Sequence, residues 1–378
     1  MANQFSYWER KSFMADFDVV IVGSGIVGLN ASLNLKIKQP KLKIGVLESG
    51  FLPSGASTKN AGFACFGSVS ELLKDLECHS VNEVLEMIEL RWKGLEKLRK
   101  ELGDSAICYE QIGGFEVFKS SENDWALKCL DKVPWFNNLL KSVIGESDIY
   151  AVSNDKIAEF GMRGISHIIK NKYEGQIDTG KMMLALLSRV QGLGVIVINN
   201  CRVKKIDQEN GFKDLSTNRG NFKAKSVILA TNAFIGQWIP DIDLIPGRGQ
   251  VLITEPIKNL KIKGSFHHDK GYTYFRNIDQ RILLGGRRNL DFKGEETTQI
   301  GITSGIQAGL EKLLYETILP GQKPKIDYRW SGIMGFGNDL KPIIKEISAG
   351  LYCAVRCNGM GLASGSLVGE QVANLVEI

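Results

Sequence analysis

The segment FDVVIVGSGIVGLNASLNLKIK (17–38) limits what this chain can fold into more than any other. DVVIV (18–22) is a short apolar run of the kind buried on both faces of a parallel sheet. Gly23, Gly25 and Gly28 follow at once in the spacing GxGxxG, and Leu29, Leu33 and Ile37 then recur at helical spacing. KIGVLES (43–49) reads as a second parallel strand, which predicts a β-α-β unit.

Each glycine has its own task. Gly23 permits the tight turn, Gly25 lets the backbone approach a pyrophosphate, and Gly28 lets the helix pack closely on the strand. Free N–H groups and the dipole at the helix N-terminus favour the anion. A lone GxGxxG is a weak signal. Here a strand precedes it, a helix follows, and Glu48 ends the next strand twenty residues past Gly28, where a carboxylate accepts from a ribose diol. A glycine-rich turn beside an unrelated surface glutamate would need all of these to coincide. An adenine dinucleotide is the predicted ligand.

Composition narrows the class. With 378 residues, 43% of them apolar, the chain has enough material for two domains, and disorder is not expected. The net charge of +5 is spread over short runs such as KIKQPKLK (36–43), VKK (203–205) and GGRR (285–288). That pattern predicts a solvated surface, not a nucleic-acid face. Seven cysteines without a CxxC pair and four histidines without an HxxxH pattern predict a reduced compartment and no metal site. No apolar run reaches the roughly 18 residues of a membrane span, so a cytoplasmic location is expected.

Further along, SGASTKNAGFACFGS (54–68) reads as a loop. Val81, Val84, Leu85, Ile88, Trp92, Leu95, Leu98 and Leu102 share one helical face. Residues 174–199 read as a turn, a helix begun near Asp178 or Thr179, and a strand; KSVILATNAF (225–234) is another buried strand. From Pro246 the chain is β-rich, then helical over 302–319, and it closes with strand 350–355 and helix 363–377. The predicted fold is an α/β Rossmann-like nucleotide domain (14–80, 160–240 and 326–378) interleaved with a smaller α+β substrate domain on an antiparallel sheet (81–159 and 241–325).

From Asp18 onward the chain resembles the D-amino-acid oxidase-like superfamily of FAD-dependent oxidoreductases, nearest to its glycine oxidase and gamma-glutamylputrescine oxidase-like members. The motifs run in the family's order: DVVIVGSGIVG with Glu48, SGASTKNAG, EGQIDTGKM, SVILATNAF, IPGRGQVLITEP, ILLGGR, WSGIMGFGNDLKPII and LYCAVRCNGMGLASG. The resemblance implies bound FAD. By position, Gly23, Ser24, Gly25, Ile26 and Gly28 would hold the pyrophosphate, and Glu48, with Ser49 beside it, the adenosine ribose. Ser57, Thr58, Asn60, Ala61 and Gly62 would line pyrophosphate and flavin, Val203 would meet adenine through its backbone, and Thr231 and Asn232 would lie near the pyrophosphate. Gly359, Met360, Gly361 and Leu362 would present backbone donors to the flavin pyrimidine edge, where reduced flavin carries charge.

The implied reaction is oxidation of a C–N bond in an amine or amino-acid derivative, with hydride passing to flavin N5 and the imine hydrolysed in water. The sequence departs from the family where arginines clamp the substrate carboxylate: Met334 and Cys357 occupy those two positions. That points to an amine or N-substituted compound more than to a simple alpha-amino acid. Arg287, Arg288, Arg276 and Arg248 are the remaining candidate clamps, and Tyr272, Tyr274, Arg287 and Cys357 the candidates for catalysis. His267 and His268 are expected in an exposed loop. ILLGG carries no lysine where oxidases keep one for oxygen, so a quinone or carrier protein stands beside oxygen as acceptor. Cys65 and Cys357 keep a covalent flavin link open. A 2-hydroxyglutarate-like dehydrogenase, a flavoenzyme of modified tRNA uridine, and a structural flavoprotein remain alternatives.

Overall fold

A computed structural model describes residues 5–14, 16–209 and 211–377. Its first sheet has eight strands. Strand Phe17–Val22 is central, paired in parallel with Ile44–Leu47 on one side and Gly220–Leu229 on the other. Ile196–Ile198 and Leu351–Val355 extend it in parallel, and Ile343–Ser348 closes one edge antiparallel. Both faces of Phe17–Val22 are covered. Val19 and Ile21 pack with Leu29 and Leu33 of helix Ile26–Lys38 and with Val368 and Val372 of helix Gly361–Leu375. Val20 and Val22 pack with Val227, Leu229 and Phe222. That double burial is why the strand reads as a continuous apolar run.

The second sheet also has eight strands, in the order Ile326–Phe336, Ile245–Thr254, Arg281–Gly286, Thr273–Ile278, Ser265–His268, Gly114–Lys119, Ile165–Asn171, Tyr150–Val152. All its pairs are antiparallel except Ser265–His268 with Gly114–Lys119. One face is held by stacked rings: Phe266 lies 4.6 Å from Phe275 and 5.1 Å from Phe115, centroid to centroid. Strands Ile165–Asn171 and Ile326–Phe336, expected in the nucleotide unit, sit in this second sheet. Pairing partners far away in sequence set their membership, so local pattern could not assign it.

Local signals agree with most predicted elements. Helix Thr179–Gly192 starts at Asp178, whose carboxylate accepts from Lys181 N at 2.9 Å. The helix expected over 302–319 is α-helical only through Ser304–Leu313 and widens into a π turn at Leu314–Ile318. Among the described residues no helix is long and apolar enough to cross a membrane.

Arg276, 3% exposed on strand Thr273–Ile278, ties the second sheet to the loop after helix Ala56–Lys59 and to the end of strand Gly175–Gln176. Its Nη1 donates to the carbonyls of Ala61 (3.2 Å), Gly62 (2.9 Å) and Ile177 (2.8 Å). This arginine is structural and not a substrate clamp. Arg276→Met removes the Arg276 donor from the Ala61 and Ile177 carbonyls and one of two donors from Gly62, which keeps Ile177 N, so a stability loss on the order of 2 kcal/mol is expected, read as a lower urea midpoint.

Candidate active site

Strand Phe17–Val22 ends in a turn at Gly23, whose φ of 106° suits only glycine. A Cβ there would lie 2.7 Å from the Ala230 carbonyl oxygen. At Gly28 a Cβ would run into the carbonyl oxygen of Gly23, so strand, turn and helix close on one another without room for a side chain. Helix Ile26–Lys38 has no side-chain cap of its own; Ser57 Oγ, from the second motif, accepts from Ile26 N at 2.9 Å. Glu48 is buried and accepts from Ser24 N (3.0 Å), Ser24 Oγ (2.8 Å) and Gly50 N (2.8 Å).

One cavity of about 1130 Å³ runs along these groups and on to the second sheet. That is at the upper end of small-molecule sites. It is lined by Gly23, Gly25, Ile26, Glu48, Ser49, Ser57, Asn60, Ala61, Val203, Thr231, Asn232 and the run Gly359 to Leu362, which the sequence expectation had scattered along the chain. Two features fit a phosphate-bearing dinucleotide. Thr231 Oγ1 is buried without a partner, and helix Gly361–Leu375 begins at the cavity with no side-chain cap.

Four expected cofactor residues stand behind the wall instead of on it. Ser24 holds the Glu48 carboxylate, and Gly28 is covered by the turn. Thr58 Oγ1 turns back to the Pro53 carbonyl at 2.5 Å. Gly62 faces Ile177 and Arg276. Of the catalytic candidates, Tyr272, Tyr274 and Cys357 line the cavity and Arg287 does not; its side chain packs beside Gly309.

The second sheet supplies the rest of the wall. Met334 lines the cavity where the family arginine was expected and packs beside Gly249 and Gly359. Tyr274 meets Phe63 edge-on at 5.6 Å, and burial pushes its phenol up to about 12. Burial likewise pushes the Cys357 thiol up to about 11. Cys65 lies 3.7 Å from the Met360 sulfur, and burial, then the Glu174 and Glu71 charges, keep it protonated. Neither thiol is activated as a nucleophile.

The arginines sort clearly. Arg248 is bidentate to Glu295, at 2.9 and 2.8 Å, and is structural. Arg281, Arg329 and Arg356 also pair with carboxylates. Arg288 lines the cavity, forms no ion pair among the described residues, and lies over the rings of Phe336 (3.9 Å), Phe292 (5.1 Å) and Tyr272 (6.0 Å). Burial lowers its pKa, as expected for a guanidinium without a counter-ion.

His267 and His268, expected in a loop, lie on strand Ser265–His268 and are buried. Pairing on both sides buries them: His267 faces Glu116 across one pair and Tyr274 across the other. A hairpin signal was present in DKG (269–271), where Asp269, Lys270 and Gly271 all have positive φ. His267 Nε2 lies 3.3 Å from Glu174, and Nδ1 3.6 Å from Glu71. Burial opposes its charge, but the close Glu174 carboxylate and the Glu71 and Glu116 charges outweigh it and raise its pKa to about 9. Cys65, Glu174 and His267 bring a sulfur, an oxygen and a nitrogen within 4.8 Å of one another. Burial keeps the thiol protonated, and the carboxylates around the imidazole favour its charged form.

A parallel sheet ending in a glycine turn, with a long cavity between it and a second sheet, is the architecture of a dinucleotide-binding protein. The chain belongs to the FAD-dependent oxidoreductase family (DAO), which it matches over residues 18–375. It is 24% identical to the probable oxidoreductase OrdL of Haemophilus influenzae, over 95% of this chain and 82% of the relative. It is also 24% identical to gamma-glutamylputrescine oxidoreductase of Escherichia coli, over 99% of this chain and 87% of the relative. Its fold superposes on the crystal structure of glycine oxidase from Geobacillus kaustophilus with a TM-score of 0.76, at 18% identity and 96% coverage of both chains. The protein is an FAD-dependent enzyme.

Gly28→Val should abolish flavin retention, because its side chain would collide with the Gly23 carbonyl; the flavin-to-protein absorbance ratio of purified protein measures this. Burial raises the Glu116 carboxyl from 4.5 to about 7, so the fold loses stability as pH rises from 4.5 through 7. Gln at that position cannot ionise. The thermal midpoint of Glu116→Gln should therefore gain on wild type across that window, as followed by circular dichroism.

Proposed function

We propose that this enzyme oxidises the C–N bond of a small amine or amino-acid derivative that also carries a carboxylate. The observation that carries this is Arg288, a half-buried cation on the cavity wall that forms no ion pair among the described residues. It would bind the carboxylate in place of the family's clamp at Met334 and Cys357. The flat rings of Phe336 and Tyr272 would hold the guanidinium plane and exclude water, which strengthens the ion pair.

FAD, when bound, supplies the hydride acceptor. The chain's own residues would seat it. Gly23, Gly25 and Ile26 at the helix N-terminus, with Ser57 and Thr231, would hold the pyrophosphate. Glu48 and Ser49 would hold the ribose, and the Val203 backbone the adenine. Asn60, Ala61 and the backbone from Gly359 to Leu362 would lie against the flavin, the last helix offering its N-terminal dipole to developing negative charge.

The cavity groups favour an amine over a hydroxy acid. A hydroxyl is far less acidic than an ammonium and needs a strong base, whereas an ammonium can pass its proton to a weak one. Tyr274, Cys65 and Cys357 all hold their protons, and the acceptors left on the wall are carboxylates such as Glu71, which are weak bases. The sequence relatives named above are consistent with this choice but do not fix the substrate.

Anaerobic mixing of the FAD-loaded enzyme with amines, N-substituted amino acids and 2-hydroxy acids should bleach the flavin band with a carboxylate-bearing amine. Bleaching by a hydroxy acid alone would overturn the C–N assignment. Arg288→Met should raise KM for that amine about 10- to 100-fold with a smaller change in kcat, and Arg288→Lys should recover part of the loss.

A further inference from the structure

Beside the large cavity lies a second, small one of about 10 Å³, room for about one water molecule. Ser68, Tyr150, Asn171, Glu116, Glu174 and His267 surround it. His267 and Glu71 also line the large cavity, so the imidazole separates the two spaces. Two of the groups facing the small cavity, His267 Nε2 and Asn171 Nδ2, are buried and lack an aligned hydrogen-bond partner. Glu174 is only 3.3 Å from that Nε2 but off the line of its N–H.

The surroundings of His267 are strongly acidic. Glu71 comes from helix Val69–Asp75, Glu116 from strand Gly114–Lys119, and Glu174 from the turn before strand Gly175–Gln176. Glu174 accepts from the backbone N–H groups of Phe66 and Gly67, each at 3.3 Å. Glu116 accepts from Ser68 Oγ at 3.1 Å, and from both the N–H and the hydroxyl of Ser70. The other ionisable groups packed here are Cys65, Tyr150, Tyr274, Asp75 and Arg91. Arg91 donates to the Phe66 carbonyl at 3.0 Å and forms no ion pair among the described residues. Glu71, Glu116, Glu174 and Asp75 thus face two cations, the His267 imidazole and the Arg91 guanidinium, so acids outnumber cations in a largely buried cluster.

We propose that His267, Glu71, Glu116 and Glu174 form a proton store that opens onto the substrate cavity and accepts the proton that the substrate ammonium must lose before its C–N bond is oxidised. In that step an N–H bond of the ammonium breaks and its electron pair stays on nitrogen as the lone pair. An O–H bond forms on a carboxylate of the cluster, and His267 connects Glu71, at the large cavity, with Glu174, which lines the small one together with Glu116. The raised proton affinity of Glu116, near neutrality, agrees with such a role. This inference rests on the amine reading above, and it adds a destination for the proton that the reading leaves unassigned.

The test compares FAD-loaded wild type, His267→Gln and the isosteric Glu116→Gln. Infrared difference spectra without amine, between about pH 5 and pH 9, read carboxyl protonation directly. Stopped-flow bleaching by the amine that reduces the flavin reads the pH profile of the reductive step. The expected result is a carboxyl band titrating near neutrality in wild type. It is absent in Glu116→Gln and shifted to higher pH in His267→Gln, where the imidazolium no longer favours the carboxylate. Both variants should slow flavin reduction near neutrality by about a hundredfold with KM unchanged. If His267→Gln fails to fold, Glu116→Gln carries both readouts. The store is overturned if no carboxyl band titrates, if neither variant moves the pH profile, or if one equivalent of a transition metal co-purifies and is lost in His267→Gln. If the carboxyl titrates as expected but no amine bleaches the flavin, the amine reading fails instead, and with it the assigned task of the cluster.

Discussion

Arg276 holds this structure together at the place where function depends on it. One guanidinium nitrogen binds three main-chain carbonyls, two from the loop after helix Ala56–Lys59 and one from the end of strand Gly175–Gln176. Those segments belong to the neighbourhood of the first sheet, while Arg276 stands on the second. Burial lowers its pKa to about 10, and the carbonyl dipoles compensate a charge that has no acidic partner within bonding reach. The cavity walls are thereby set at fixed separation by a charge-assisted contact in a dry environment, where such bonds are strong.

Between those walls the polar groups divide into two poles. At one, Arg288 sits among aromatic rings without an acid. At the other, His267 sits among carboxylates with Arg91 close behind. Apolar and weakly polar side chains, Met334, Phe336, Tyr274 and Phe63, occupy much of the wall between them. A ligand with an anionic group and an amine nitrogen meets complementary charge at both ends, and the low-dielectric wall makes each end matter more than it would in water.

The phosphate-binding half of the site was legible in the sequence because its geometry is local. Gly23, Gly25 and Gly28 follow their strand directly, and the turn they make leaves no room for side chains. The later FAD motifs were found by resemblance, and the fold brings nearly all of them to one cavity. Thr58 and Arg287 show the limit of that transfer: each has the expected place in the chain, but its side chain turns away from the cavity because another contact claims it.

The sequence by itself determined the parallel β-α-β unit and its dinucleotide-type glycine turn, since each depends on residues a few positions apart, while FAD and the loss of the arginine clamp at Met334 and Cys357 were read from the family resemblance. Only the tertiary structure decided which arginine is free and which histidine is buried. Arg248, Arg276 and Arg288 look alike as isolated residues. They differ because Glu295 pairs with the first, carbonyls from residues 61, 62 and 177 engage the second, and aromatic rings lie against the third, which forms no ion pair among the described residues. His267 acquired its carboxylates from three segments separated by about a hundred residues or more of chain from its own strand. Charge environments are sums over neighbours in space, and no local pattern in the chain encodes them.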